Sequence, residues 1–178
     1  AKSKPGQINF AYTGAGGTSH IGAELLKLLA GIDLMGIPYK GTAPSMTDLL
    51  GGQVQSMVVA MPGAVPHVKS GRLRVLGVGS RKRHPTLPEV PTLDEAGVTG
   101  YEFDTWYGMY APAKVAKDII GRLNREVVKA INVPEVRQRL VDGGLDPLGS
   151  TPEEFAGIVK AEIAKMAKVI KASGARAE

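Results

Sequence analysis

Between residues 8 and 78 the chain alternates short apolar runs with stretches of helical period, each change marked by glycine or proline. Residues 8–12, 34–38, 54–60 and 73–78 read as strands, and 20–30, 43–50 and 64–70 as helices. Such alternation has few solutions: successive βαβ units form a parallel sheet with helices on its faces. The run "VQSMVVAM" is nearly all apolar, as expected of a strand buried on both sides. In the first helix Ile21, Leu25, Leu28 and Leu29 share a face, which the pattern assigns to the core.

After Gly79 the pattern changes. Pro85, Pro88, Pro91, Gly97 and Gly100 mark residues 80–100 as a crossing loop with at most one helical turn. "YEFDTWYGMYAP" reads as one long strand and gathers aromatics that are scarce elsewhere. Three helical patterns follow, at 116–131, 134–142 and 152–172. The last opens on Ser150-Thr151-Pro152-Glu153-Glu154, with polar caps, proline at the first position and acids in the first turn. These helices have no sheet of their own, and amphipathic helices need a surface to pack on.

Composition excludes several chemistries. The 178 residues contain no cysteine, so disulfides, thiol nucleophiles and thiolate metal sites are ruled out, and three scattered histidines suit no zinc site. No apolar run approaches the roughly 20 residues of a membrane-spanning helix. The net charge of +5 is concentrated only at "SRKRH", residues 80–84. That cluster sits in a proline-punctuated loop without interleaved aromatics, so it reads as a solvated loop and not as a nucleic-acid surface.

The densest local signal is "YTGAGGTSH", a glycine-rich passage from strand to helix. A phosphate-binding P-loop is excluded because Gly16-Gly17 is followed by Thr18-Ser19-His20 and not by lysine. Gly14-Ala15-Gly16 begins a dinucleotide fingerprint, but Ser19 replaces its third glycine, and Asp33 opens the second strand instead of ending it. A hydrolase elbow would need a base beside Ser19, yet His20 diverges from it by about 100° on a helix. Two readings stay open. The turn captures an anion through free helix amides and the hydroxyls of Thr13, Thr18 and Ser19, or it is a plain turn whose hydroxyls cap the helix.

Several further stretches, "INFAYTGAGGTSHIGAELL", "IPYKGTAPSMTDLLGGQV", "PHVKSGRLRVLGVGSRKRHPTLPEVPTLDEAG", "WYGMYAPAK" and "LGSTPEEF", follow one another in fixed order. In them the chain closely resembles the solute-binding receptors of tripartite tricarboxylate transporters, the Bug or TctC family. The resemblance implies an α/β fold of the periplasmic binding protein type II kind. Two lobes joined by crossing strands close like a Venus flytrap on a small organic acid, which is passed to transporter membrane subunits. It implies a periplasmic protein with no catalytic residue, cofactor, metal or nucleic-acid partner. Family members are longer. Residues 7–100 correspond to lobe two, and 101–178 to the crossing strand and closing helices of lobe one. A homodimer is the expected cover for the faces left open.

Carried over position by position, the resemblance makes Thr13, Gly14, Gly16, Gly17, Thr18, Ser19 and His20 the carboxylate loop. Thr18 and Ser19 are its foremost contacts, and His20 is read as bracing the turn more than facing the ligand. Tyr39 and Thr42, after the second strand, add hydroxyls, while Lys40 reads as a surface charge. Ala60, after the third strand, stands where relatives often place Asp or Asn, which implies an apolar distal group on the ligand. Trp106 either walls the cleft or packs in the core. An enzyme working through Ser19 and His20, or a sensory module on the same fold, are the competing readings.

Overall fold

The computed structural model describes residues 1–173. Its elements are β1 (Asn9–Thr13), α1 (Thr18–Ala30), β2 (Met35–Tyr39), α2 (Thr42–Leu50), β3 (Ser56–Met57), α3 (Met61–Lys69), α4 (Lys117–Ile131), α5 (Pro134–Asp142) and α6 (Pro152–Ser173). Two compact units result. One holds Ala1–Thr105 with the end of α6 from Ala167, and the other holds Trp106–Met166.

In the first unit the three strands are parallel, in the order β2-β1-β3. The step from β1 to β2 and the return past β1 to β3 run in opposite directions. Right-handed crossovers therefore place α1 and α2 on opposite faces. The central strand shows this directly, because neighbours Phe10 and Ala11 point to opposite faces and both are buried. Phe10, Ala23 and Leu34 form one core cluster, with Ile8, Tyr12, Ile32 and Val58 against it. Val78, Leu87 and Val90 form a second cluster with Met61, Val68 and Val75.

Helix α1 differs from its expected orientation. Ile21 and Leu25 are buried, but Leu28 and Leu29 are 50% and 39% exposed. The buried face is completed instead by Ser19, Gly22 and Ala23. Small residues let the helix approach closely: a Cβ at Gly22 would lie 3.0 Å from the Phe103 ring and from Val58. Close contact through Gly22 and Ala23 outweighs the burial that Leu28 and Leu29 would gain. The helix ends at Gly31 in the left-handed conformation, with its N–H on the Lys27 carbonyl.

The expected strands after β2 are shorter or replaced. The strand expected at 54–60 reduces to Ser56–Met57, and the apolar residues that follow are only half-buried. Residues 73–78 form no strand. Val78 makes a single parallel bridge to Thr92, donating to Pro91 O at 3.0 Å and accepting from Leu93 N at 2.9 Å. The long strand expected over 101–112 is not formed; Phe103 N–H donates to Gly79 O at 2.9 Å and Tyr101 N–H to Val98 O at 3.0 Å. The glycines explain the close layering without ladders: a Cβ at Gly77 would meet Leu93 at 2.8 Å, and one at Gly79 the Phe103 carbonyl oxygen at 2.2 Å. Tyr101 closes this region from a buried position, its hydroxyl on Gly22 O at 3.0 Å. Burial pushes that phenol up to about 12.

Two reciprocal caps organise the connections. Thr92 and Glu95 exchange hydrogen bonds, Thr92 N–H to the carboxylate at 2.8 Å and Glu95 N–H to the hydroxyl at 3.0 Å. Arg83 Nε donates to the same carboxylate at 2.9 Å, and Arg81 pairs with Glu102. His84 Nδ1 accepts the Thr86 N–H at 3.2 Å, so Arg81, Arg83 and His84 of the basic cluster are all engaged within the fold. Thr151 and Glu154 repeat the cap at the start of α6, where the sequence placed it. In the second unit Phe155 lies over Gly108, with Trp106 edge-on and Tyr110 tilted, both ring pairs at 5.3 Å. Ile119, Leu123, Val133, Val136, Ile158 and Ile163 remain exposed, and none of the buried apolar side chains among the described residues lies beyond Phe103.

Gly79→Ala is expected to destabilise the chain by about 1–3 kcal/mol through overpacking on a backbone atom. Gly157→Ala, where a Cβ meets open space in α6, should stabilise by about 0.5–1 kcal/mol. Urea unfolding of both variants checks the contrast. The Thr92 N–H, then Arg83, hold the Glu95 carboxyl below its ordinary range. Its stabilising effect is present above the unfolded-state value and is lost as pH falls through the folded one. The urea midpoint of the parent should therefore drop more between about pH 6 and pH 2.5 than that of Glu95→Gln.

Candidate functional site

All three helices of the first unit's sheet begin where its strands end, so α1, α2 and α3 present their N-termini at the carboxyl edge. In open parallel sheets ligands bind at this edge, beside the point where strand order reverses. Here that point lies between β1 and β3, and the glycine turn leaves β1 there.

The turn is built tightly. Gly14 and Gly16 have φ of 70° and 73°, and Gly17 N–H returns to Gly14 O at 3.1 Å. A Cβ at Gly17 would lie 2.5 Å from the Thr13 carbonyl oxygen, so no larger residue fits. Ser19 is buried. Its Oγ accepts the Thr13 N–H at 2.8 Å and lies 3.1 Å from Thr13 Oγ1. The two hydroxyls share one bond and retain one further hydrogen between them. His20 Nδ1 accepts the Gly16 N–H at 3.0 Å, its ring stacks on Tyr12 with centroids 4.4 Å apart, and Nε2 faces Glu24 at 3.9 Å. Ser19 and His20 share no hydrogen bond, since the serine oxygen and Nδ1 each serve the turn.

What the turn leaves open is backbone. The first intrahelical bond of α1 is Ile21 N–H to Gly17 O, at 2.9 Å. The amides of Thr18, Ser19 and His20 find no acceptor among the described residues. No side-chain acid lies in the first turn to neutralise them. Thr18 is exposed, its hydroxyl beside these amides in the chain. Three donors at the positive end of a 13-residue helix suit a small anion.

The other exits contribute less. The Tyr39 hydroxyl donates to Asp48 at 2.7 Å, and that bond raises its pKa above the ordinary phenol value. It serves α2. Thr42 is exposed at the first position of α2, and Ser45 beneath it donates to the carbonyls of Gly41 and Thr42. Ala60 caps α3 in extended conformation without a side-chain hydrogen bond, and the next amide belongs to Met61, followed by Pro62, which has none. Position 63 lies near Thr42, since a Cβ there would be 3.8 Å from its methyl. Thr13 to His20, Tyr39, Thr42 and Ala60 thus share one sheet edge, whereas Trp106 belongs to the second unit, against Phe155. Among the described residues no group of His, Asp and Glu is placed to hold a metal ion.

Sequence reasoning missed Tyr12 and Asp48. Tyr12 is the platform for His20 and Asp48 the acceptor for Tyr39, and both contacts arise only when strand and helix pack together. No local pattern announces either.

Comparison with known proteins adds the following. The profile of the tripartite tricarboxylate transporter family receptor matches residues 1–175. A protein of Pseudomonas sp. strain P51, described as UPF0065 protein in the tcbD-tcbE intergenic region, is 38% identical over 171 residues. That alignment spans 96% of this chain and 51% of the relative. The R. palustris protein Rpa4515, solved with adipate, superposes with a TM-score of 0.93 at 34% identity, over 98% of this chain and 58% of the other. The periplasmic binding protein BugD gives 0.88 at 33% identity, over 99% and 60%. The chain spans about half the length of the curated relatives it matches first.

Ser19→Ala leaves the Thr13 N–H without its acceptor and should lower unfolding free energy by about 1–3 kcal/mol. Thr18→Ala, at an exposed position bonded to nothing within the described chain, should stay within about 0.5 kcal/mol of the parent. Chemical denaturation of the two variants separates a side chain that holds the turn from one free to meet a ligand.

Proposed function

The chain belongs to the tripartite tricarboxylate transporter receptor family, and from that premise we propose that it is part of an extracytoplasmic receptor for a small organic carboxylate. The observation that carries the reading is the open row of amides at Thr18, Ser19 and His20, with no acid in the first turn of the helix. A carboxylate accepts two or three such bonds without any covalent step. Gly17 keeps the approach free of side-chain bulk, Thr18 adds a hydroxyl, and the Thr13–Ser19 pair holds one further hydrogen.

Residues 7–100 are read as the second lobe of the receptor, and 101–178 as the crossing segment and helices of the first. The acid is held between the lobes and delivered to the membrane subunits of the transporter. The mouth is polar after β1 and apolar after β3, where Val59, Ala60 and Met61 offer no side-chain donor. That asymmetry favours an acid with a methylene segment behind the captured carboxylate. The adipate in the Rpa4515 structure has such a segment. The family's solute-binding members and the engagement of Ser19 and His20 within the turn support binding over turnover.

Titration calorimetry of the full-length protein against aliphatic mono- and dicarboxylates, with nucleotides as controls, tests the reading. An acid is expected to bind, and Thr18→Ala to weaken it by about 0.5–1.5 kcal/mol, the worth of one neutral hydrogen bond. Nucleotide binding with no response to any acid would overturn the assignment.

A further inference from the structure

A turn with two glycines at positive φ is intrinsically loose, because glycine visits both halves of conformational space at little cost. Among the described residues three backbone N–H donors hold this one. Gly17 N–H reaches Gly14 O, Thr13 N–H reaches Ser19 Oγ, and Gly16 N–H reaches His20 Nδ1. The first two tie the ends of the turn to each other and to β1. Of these, only the third engages the peptide between Ala15 and Gly16.

We infer that His20 is the positioning residue of the carboxylate site: its ring, stacked on Tyr12, locks the Ala15–Gly16 peptide so that the neighbouring helix amides stay open. The inference rests on the carboxylate reading above. Two properties of the side chain are used together. Its flat face lies on Tyr12 at 4.4 Å and 19°, which anchors it to β1. Its Nδ1 lone pair takes a backbone N–H at 3.0 Å, so the neutral ring carries its proton on Nε2. The charged and titratable groups around it are Tyr12 on β1, and Glu24 with its Lys27 partner on α1. A Phe keeps the stack and loses the acceptor. An Asn keeps an acceptor two bonds from Cβ and loses the stack. A protonated imidazole has no acceptor at all.

The test uses the full-length protein, adipate as probe, and the variants His20→Phe and His20→Asn. His20→Phe should weaken adipate roughly tenfold, the worth of about one hydrogen bond, while its thermal midpoint stays with or above that of His20→Asn. His20→Asn should bind adipate several-fold more tightly than His20→Phe. In the parent, without ligand, the Gly16 amide proton should resonate downfield of, and exchange with solvent more slowly than, the same proton in His20→Phe, where it has no acceptor. Parent-like adipate affinity in His20→Phe, or a Gly16 amide resonance and exchange rate unchanged in that variant, overturns the positioning role while leaving the receptor reading intact. Failure of the parent to bind adipate or any other acid removes the receptor reading, and the inference with it, even if the Gly16 resonance shows the brace.

Discussion

The bond from the Thr13 N–H to Ser19 Oγ decides what the rest of the turn is able to do. It joins the last residue of the central strand to the second residue of the helix, leaving four residues to reverse the chain. So short a link is open only to glycine at position 17, where the Thr13 carbonyl occupies the space of a Cβ. It also takes the serine out of competition for the helix's own amides. An N-cap side chain normally satisfies the second or third amide of a helix. Here the N-cap is Gly17, with no side chain to do so, and the donors remain for an external anion.

The alternation of strands and helices, the βαβ order and the helix boundaries were legible in the residues. α5 matches residue for residue, and α1, α2 and α6 lie within two residues of the expected ends. The failures have one physical source. Apolar runs report burial and do not report who supplies the neighbouring edge. In "VQSMVVAM" and the segment from Leu73, Val54 and Val78 are buried, yet only Ser56–Met57 and a single bridge at Val78 carry ladder geometry. The exposure of Leu28 and Leu29 has a related cause, since the pitch of α1 is set by Gly22 meeting Phe103, 81 positions away.

At the site, residue types were legible and their roles were not. Ser19 and Tyr39 stood out as hydroxyls at the right edge, and both hydroxyls hold the structure, one on β1 and one on α2. Thr18, of the same chemistry as Ser19, lies exposed one residue away. A helix turns by about 100° per residue, so adjacent hydroxyls point in different directions. Which one faces inward follows from the packing of α1, which the local sequence does not encode.

This division of labour has a consequence for selectivity. Side chains hold the turn, through Ser19, His20 and Tyr12, and in the proposed reading it is the backbone that meets the ligand. Amides recognise a carboxylate group and are indifferent to the carbon skeleton behind it. In that reading the turn sets the chemical class of the ligand, and choice among members of that class falls to side chains elsewhere on the edge. In this lobe those are Thr42, near position 63, and the apolar exit at Val59, Ala60 and Met61. On the proposed carboxylate reading, an exchange at Ala60 alters which acid is preferred, whereas an exchange at Gly17, where the Thr13 carbonyl fills the space of a Cβ, removes the preference for acids altogether.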